Sequence, residues 1–455
     1  MQLHAATSRG DLEGIESALR ADVDVNSLNS SGETALVFAL DRAKALACRC
    51  GPKVTLEAVE ALLNSGANLE VTDRLGVTAI HHAVGIADPE ILGLLLERGG
   101  NPRHRTKSGY SVLLHACFQQ ASPAKRAIIE RLREARASVD AASVHGEFPL
   151  GVCLRFGDFD TLRYLIELGA DSGPLNWSEL HHAVALKERS DIERLSPSVT
   201  DINTPNLRFA LSPWLLAFIR GDLATIRYIA DRGADLTQLG RRGDTALHLA
   251  AEFGHEMAIC WLLDLGADTN IRSQFGETPL HRAAEWNRVA SAKALLGRGA
   301  DASPPNQVQS QPIHSAHSLE MVQLLVESGG ADVNAVDGCG EWPLKSAAED
   351  NDIERIVWLL KHGAEVDRTS TGETALHTAV RFDSREAIDA LLKAGANPNV
   401  QDVDGWTPLF GALSREVIHA LRKAGADPRI TDQAGWGPEK WLKDPVLVRA
   451  LRDQS

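Results

Sequence analysis

Apolar residues in this chain come in short clusters of two kinds, set a fixed distance apart. Leu280, Ala283 and Ala284 fall at helical spacing, which predicts a short helix with one buried stripe. Val289, Ala292, Ala294, Leu295 and Leu296 follow after Asn287 and predict a second amphipathic helix. The same pair of clusters recurs with its punctuation. Gly243-Asp-Thr-Ala-Leu-His opens one unit and Gly276-Glu-Thr-Pro-Leu-His the next, 33 residues on, and the step repeats from Gly372 to Gly405. Ten glycines close units at equivalent places: Gly66, Gly99, Gly169, Gly233, Gly266, Gly299, Gly329, Gly363, Gly395 and Gly425. A chain leaving a helix at positive φ favours glycine, so each predicts a helix end. Thr278 is placed to cap the first helix, with Pro279 at the position where a missing N–H costs nothing. Each unit therefore reads as helix, turn, helix and an extended turn, and a fixed period of this length predicts a stacked array.

The Thr-Pro-Leu-His-x-Ala phrase at a 33-residue period resembles the ankyrin-repeat family. The likeness covers essentially the whole chain, with units starting near residues 1, 32, 76, 109, 146, 178, 210, 243, 276, 309, 340, 372, 405 and 435. It implies an all-α repeat solenoid of about fourteen repeats including caps, with β-hairpin fingers and a concave groove formed by fingers and inner helices. Regular repeats are expected over 1–177, with an insertion near 45–53 carrying Cys48 and Cys50, and again over 210–434. Residues 178–213 read as a degenerate repeat and an irregular connection, where a bend or weak interface is expected, and 435–455 as a capping repeat. The unit from Gly109 has four extra residues near Gln120–Pro123. Seven histidines occupy one motif slot: His4, His81, His181, His248, His281, His314 and His377. The resemblance implies that this imidazole bonds to backbone and to the neighbouring threonine, tying one repeat to the next.

Charge narrows the partner class. The formal net charge is −14, and most of the excess lies after residue 177, where 29 Lys and Arg stand against 39 Asp and Glu. That balance disfavours duplex nucleic acid as a ligand and suits a basic protein partner. Six dispersed cysteines fit a reducing compartment. With no leader and no apolar run of 18 residues, the expectation is a cytoplasmic protein without a membrane span. No phosphate loop, nucleophile elbow or His-Glu-x-x-His motif is present, and Cys48-x-Cys50 alone lacks the partners zinc requires. With no non-repeat segment long enough for a catalytic domain, the chain is expected to be non-catalytic, without metal or cofactor, without a small-molecule substrate, and monomeric on its own.

The groove-facing candidates sit where each inner helix ends. Arg155-Phe156, Ile219-Arg220, Glu252-Phe253, Glu285-Trp286, Glu349-Asp350 and Arg381-Phe382 occupy this slot pair. Aromatic and arginine side chains dominate binding hot spots, so Arg155, Phe156, Arg220, Glu252, Phe253, Glu285, Trp286, Glu349, Asp350, Arg381 and Phe382 are expected to contact a partner. Finger positions add Arg241, Arg242, Asp244, Glu277, Glu341, Glu373 and Trp406. All nine tryptophans lie at or beyond residue 177, which favours the C-terminal array as the richer surface. The expected function is recognition of another protein by a preformed rigid face. The chain serves in that role as a scaffold, or as an inhibitor covering the active site of a toxin enzyme such as a basic nuclease; a secreted, host-directed effector is the third class.

Overall fold

A computed structural model describes residues 2–9, 11–21, 23–29, 32–46, 56–187, 189–370, 372–442 and 444–452. The segment with Cys48 and Cys50 lies outside the described residues. The chain forms two compact units, Met1–Lys187 with Asn206–Arg208, and Glu188–Pro205 with Phe209–Ser455.

Both units are layered helix pairs. The first contains Ala79–Gly85 with Pro89–Glu97, Val112–Cys117 with Pro123–Glu134, and Pro149–Arg155 with Phe159–Glu167. The second contains Ala246–Phe253 with Glu256–Asp264, Pro279–Glu285 with Val289–Leu296, Pro343–Glu349 with Ile353–Lys361, and Ala375–Arg381 with Arg385–Lys393. Inner helices of only six to eight residues have little stability in isolation. Their order comes from burial on both sides: every residue from Pro279 to Ala284 is buried, as is every residue from Ala375 to Val380. Outer helices bury one stripe, such as Ile356 and Leu359.

The four extra residues in the unit from Gly109 divide between a longer turn, residues 118–122, and a longer outer helix, Pro123–Glu134, that Ser122 caps. Within the stretch expected to be irregular, Val199–Asn203 is a helix capped by Ser198. Asn203 then bonds Gly233 O at 3.0 Å and receives Asp235 N at 2.8 Å, taking part in the second unit's first turn.

Nine of the ten unit-closing glycines have φ between 85° and 96°. Gly329 departs from this, because the helix Leu319–Gln323 widens into a π turn over Leu324–Ser328 and moves the left-handed residue to Gly330, at φ 72°. The fingers are tight turns joined tip to tip. Gln274 N donates to Arg242 O at 3.1 Å, Gln307 N to Phe275 O at 3.0 Å and Gly338 N to Val308 O at 2.8 Å. Among the described residues, strand-type pairing is limited to an isolated antiparallel bridge between Arg105 and Ser111.

The motif histidine links three pieces of backbone. Thr278 N donates to His281 Nδ1 at 3.0 Å, so that nitrogen carries no proton, and Nε2–H donates to Ser310 O, 29 residues later, at 3.1 Å. The tautomer follows from the network. His248 to Glu277 O, His377 to Trp406 O and His81 to Tyr110 O span the same 29 residues. His314 reaches Ala335 O, only 21 residues on, in the turn that precedes the following finger.

Two tests follow from this geometry. A Cβ at Gly266 would meet nothing within 4 Å, whereas at Gly372 it would lie 2.7 Å from Asp402 Cα, and both have φ above 80°. Gly266→Val therefore carries backbone strain alone, on the order of 1–2 kcal/mol, while Gly372→Ala adds a backbone clash and costs more. Urea unfolding that ranks Gly372→Ala as the milder change, or leaves Gly266→Val at the parent midpoint, contradicts the account.

Burial depresses the His281 pKa from 6.5 to about 4 despite its bond to Ser310 O. Between those values the unfolded chain takes up a proton that the folded chain refuses. Stability is thus complete above about pH 6.5 and falls as pH drops toward 4, by on the order of 2–3 kcal/mol from this group. His281→Gln should flatten the slope of stability against pH in that window; an unchanged slope would place the acid sensitivity elsewhere.

Candidate functional site

In the second unit four of the expected contact residues, Asp244, Glu252, Glu277 and Glu285, converge on one side chain. Arg282 follows the motif histidine on helix Pro279–Glu285 and is fully buried. Its guanidinium lies 2.8 Å from Glu277, 3.1 Å from Glu285 and 3.2 Å from Asp244 of the preceding finger. Arg242 approaches Glu277 at 3.5 Å and sits over the Phe275 ring at 5.6 Å. Burial opposes the charge of Arg282, and Asp244, Glu277, Glu252 and Glu285 together outweigh it. Glu252, at the exit of the preceding inner helix, has its pKa raised to about 7 by burial, against the pull of Arg282. Phe253 and Trp286, both half-buried, occupy the next position on the two adjoining inner helices. The outcome is an anionic rim above a buried cation, beside two aromatic rings.

Asp244, expected on an exposed finger, is instead buried at 7 % exposure. Its role is to hold Arg282, while Glu285 stays open to solvent. Arg282 itself was not among the expected residues. Its signal was a charged residue in a slot that Leu249 and Thr378 fill in other repeats.

A second group uses different chemistry in the same place. Lys345 stands in the histidine slot and Trp342 in the threonine slot, and both are buried. Lys345 Nζ lies 2.6 Å from Glu341 and 3.7 Å from Glu373, and Glu373 pairs with Arg381 at 2.7 Å. Arg381 also lies 5.6 Å over Phe382, which is 50 % exposed. Glu349 and Asp350 are exposed. The His317 hydrogen bond, reinforced by Arg355, holds the Asp350 pKa below the usual carboxylate range. Arg355 is buried and reaches Ala316 O at 3.0 Å.

The remaining candidates stand apart. Arg241 is exposed and Arg220 half-buried. Trp406 is half-buried, stacked on Phe410 with centroids 5.8 Å apart and 5.0 Å from Trp441. In the first unit, Arg155 pairs with Glu147 at 2.7 Å and lies over both Phe118 and Phe156. Phe156 therefore packs across repeats onto Phe118, at 6.0 Å. Tyr110 donates to Glu147 and lowers its pKa. Among the described residues no group of three or more His, Cys, Asp or Glu is arranged to hold a metal ion, and no helix is long and apolar enough to cross a membrane.

The family model described as ankyrin repeats (3 copies) matches residues 180–273, 214–306, 311–402 and 344–432, and the one described as ankyrin repeats (many copies) matches 55–96. The neurogenic locus Notch protein of Drosophila melanogaster is 40 % identical over 105 residues, 19 % of this chain and 4 % of that protein. A putative ankyrin repeat protein of Fowlpox virus (strain NVSL) is 37 % identical over 99 residues, 21 % of this chain and 29 % of that protein. The chain thus spans well under a third of the length of either relative. The crystal structure of the human ASB11 ankyrin repeat domain is similar at 28 % identity and a TM-score of 0.44, covering 48 % of this chain and all of that one.

Removing the guanidinium while leaving its carboxylates should be costly. Arg282→Leu, which copies the Leu249 slot, is expected to lose about 3–5 kcal/mol at pH 7.5 because buried anions are left uncompensated. Protonation of the carboxylates should recover part of that loss near pH 5. Equal destabilisation at both pH values would show that packing, and not charge, accounts for the effect.

Proposed function

The chain belongs to the ankyrin-repeat family, and from that premise we propose that it is a non-catalytic protein-binding scaffold whose second unit recognises a basic partner. Ankyrin repeats mediate protein–protein interaction in general, which is the coarse part of this reading. The observation that carries the finer part is the convergence of Asp244, Glu252, Glu277 and Glu285 on Arg282, with Arg242 paired to Glu277, beside Phe253 and Trp286. Buried Arg282 fixes the carboxylates in place before a partner arrives, so little side-chain entropy is lost on binding. The aromatic rings supply apolar contact area, and the rim supplies charge complementarity that speeds encounter.

In this reading the molecule counts fourteen repeats, its fingers act as hairpins that wall the groove, and it works in the cytoplasm. Arg155 with Phe156 and Arg381 with Phe382 extend the contact face within their own units. Glu341, Glu349, Asp350, Glu373, Trp406, Arg220 and Arg241 contribute rim contacts. Inhibition of a toxin enzyme is the alternative use of the same face, and it differs in one observable: the captured partner loses its catalytic activity.

Phe253→Ala combined with Trp286→Ala should weaken partner binding by about 2–4 kcal/mol in total with helix content intact. Affinity for the parent should also fall as salt rises from low to physiological levels. Calorimetry on a partner captured by the parent chain reads both effects. Unchanged affinity in the double variant removes the groove assignment, and a net acidic partner with salt-insensitive binding removes the charge argument.

A further inference from the structure

The outer helix Ile353–Lys361 places a large apolar residue, Val357, where its counterparts carry a charged, polar or small one. Ile356 and Leu359 face the core and are fully buried. Beside that stripe Ile353, Val357 and Leu360 follow at i, i+4 and i+7, the spacing of one helical face. Alignment on the helix caps shows how unusual this is. The slot of Val357 holds Asp389, His419 and Lys293 in three other repeats and Cys260 in a fourth, whereas the slot of Ile353 holds Arg385, Arg415 and Glu256 in some repeats and Phe159, Leu223 and Val289 in others. Val357 is 42 % exposed. Packing within the stack does not require it, since charged side chains serve at the same place elsewhere.

The stripe forms one wall of a groove of about 800 Å³ against the next outer helix, Arg385–Lys393. Val366, Ala390 and Ala394 continue its apolar surface, with charge divided between its ends. Lys361 and Lys393 are the last residues of the two helices, whereas Glu386 is the second residue of the second helix and Asp389 its middle one. Glu386 also accepts from Asn351 at 2.8 Å, which holds its carboxylate in position. Seven residues separate Glu386 from Lys393, about 10 Å along the axis.

We infer that this outer groove is a self-association surface whose occupant is a second copy of the same chain, paired about a two-fold axis. The helix has nine residues and Val357 is its middle one. Antiparallel pairing of two copies about Val357 brings the two stripes together, Ile353 of one over Leu360 of the other. The same operation carries the lysine end of each groove onto the carboxylate end of the other. A surface that is acidic at one end and basic at the other complements itself under this symmetry, which is what an isologous contact requires. This replaces the expectation of a monomer, and it leaves the inner face, proposed above to bind a partner, uncovered by the contact.

Sedimentation equilibrium of the full chain over roughly 5 to 500 µM tests the inference. The parent should show a monomer–dimer equilibrium in that range. Ile353→Arg with Val357→Asp installs residues that other repeats already use at these slots, so the fold should persist by circular dichroism and melting. Each substitution acts twice in a symmetric contact, and the pair should weaken the dimer at least about 100-fold. Lys361→Glu with Lys393→Glu should likewise dissociate the homodimer. Mixing that variant with Glu386→Lys plus Asp389→Lys should restore association between unlike chains. A parent that stays monomeric throughout the range overturns the inference and leaves the groove to some other occupant. A dimer unaffected by the Ile353 and Val357 substitutions overturns it as well, by placing the contact elsewhere.

Discussion

A pair of short helices cannot bury its own apolar surface, and the rest of this structure depends on that shortage. Each layer is held by the layers on either side, so the burial that stabilises a repeat is supplied by its neighbours. Ala283, Ala284, Ala347 and Ala348 show the consequence, small side chains almost fully hidden where inner helices meet. The polar backbone at each layer boundary must also be satisfied. The motif histidine does this from a single ring, accepting from the helix cap and donating to the following finger. At His281 burial between layers holds the imidazole neutral, and the acid sensitivity this brings is a by-product of the way the layers are joined.

Much of this was legible from spacing alone. Glycine at the helix ends and threonine and proline at the starts are short-range chemistry, and the structure places nine of ten glycines as the spacing indicates, whereas the histidine bonds follow what the resemblance to ankyrin repeats implied. The misses arise where a local rule met a change in length. Gly329 obeys the motif by position, yet the π turn before it hands the left-handed conformation to Gly330. The extra residues near Gln120–Pro123 were legible from the period, but nothing in the period says how an insertion will divide between a turn and a longer helix.

The candidate site was readable in part, for a physical reason. Slot arithmetic finds residues that recur one repeat apart and lie on a shared face. It does not find a side chain whose importance lies in what the neighbouring layers offer it. Arg282, in a slot that leucine, serine, threonine or histidine fills in other repeats, makes sense only once Asp244, 38 positions earlier, is known to lie 3.2 Å away. Asp244 was mistaken for a surface residue for the same reason: its finger position is ordinary and its partner belongs to the next layer. Lys345 and Trp342 are harder still, since they replace the histidine and threonine of the motif together, and each replacement alone would look like decay of the pattern.

These buried cations also bear on how a stack of similar layers keeps its order. Apolar faces of neighbouring repeats resemble one another, and the histidine bond has the same geometry at several boundaries, so neither distinguishes one boundary from the next. Buried charge does. Lys125 meets Asp158 of the following layer at 2.7 Å, Arg282 meets Asp244 of the preceding one, and Arg355 reaches back to Ala316 O. Misplacing any of these layers by one repeat would bury a cation against a neighbour without its carboxylate or carbonyl, and an uncompensated buried charge costs several kcal/mol. The pairs add little net stability over apolar residues of the same size, and their effect is to penalise every arrangement but one. At Arg282 the same penalty has a second effect, because the carboxylates that neutralise the cation below are fixed in position at the surface above.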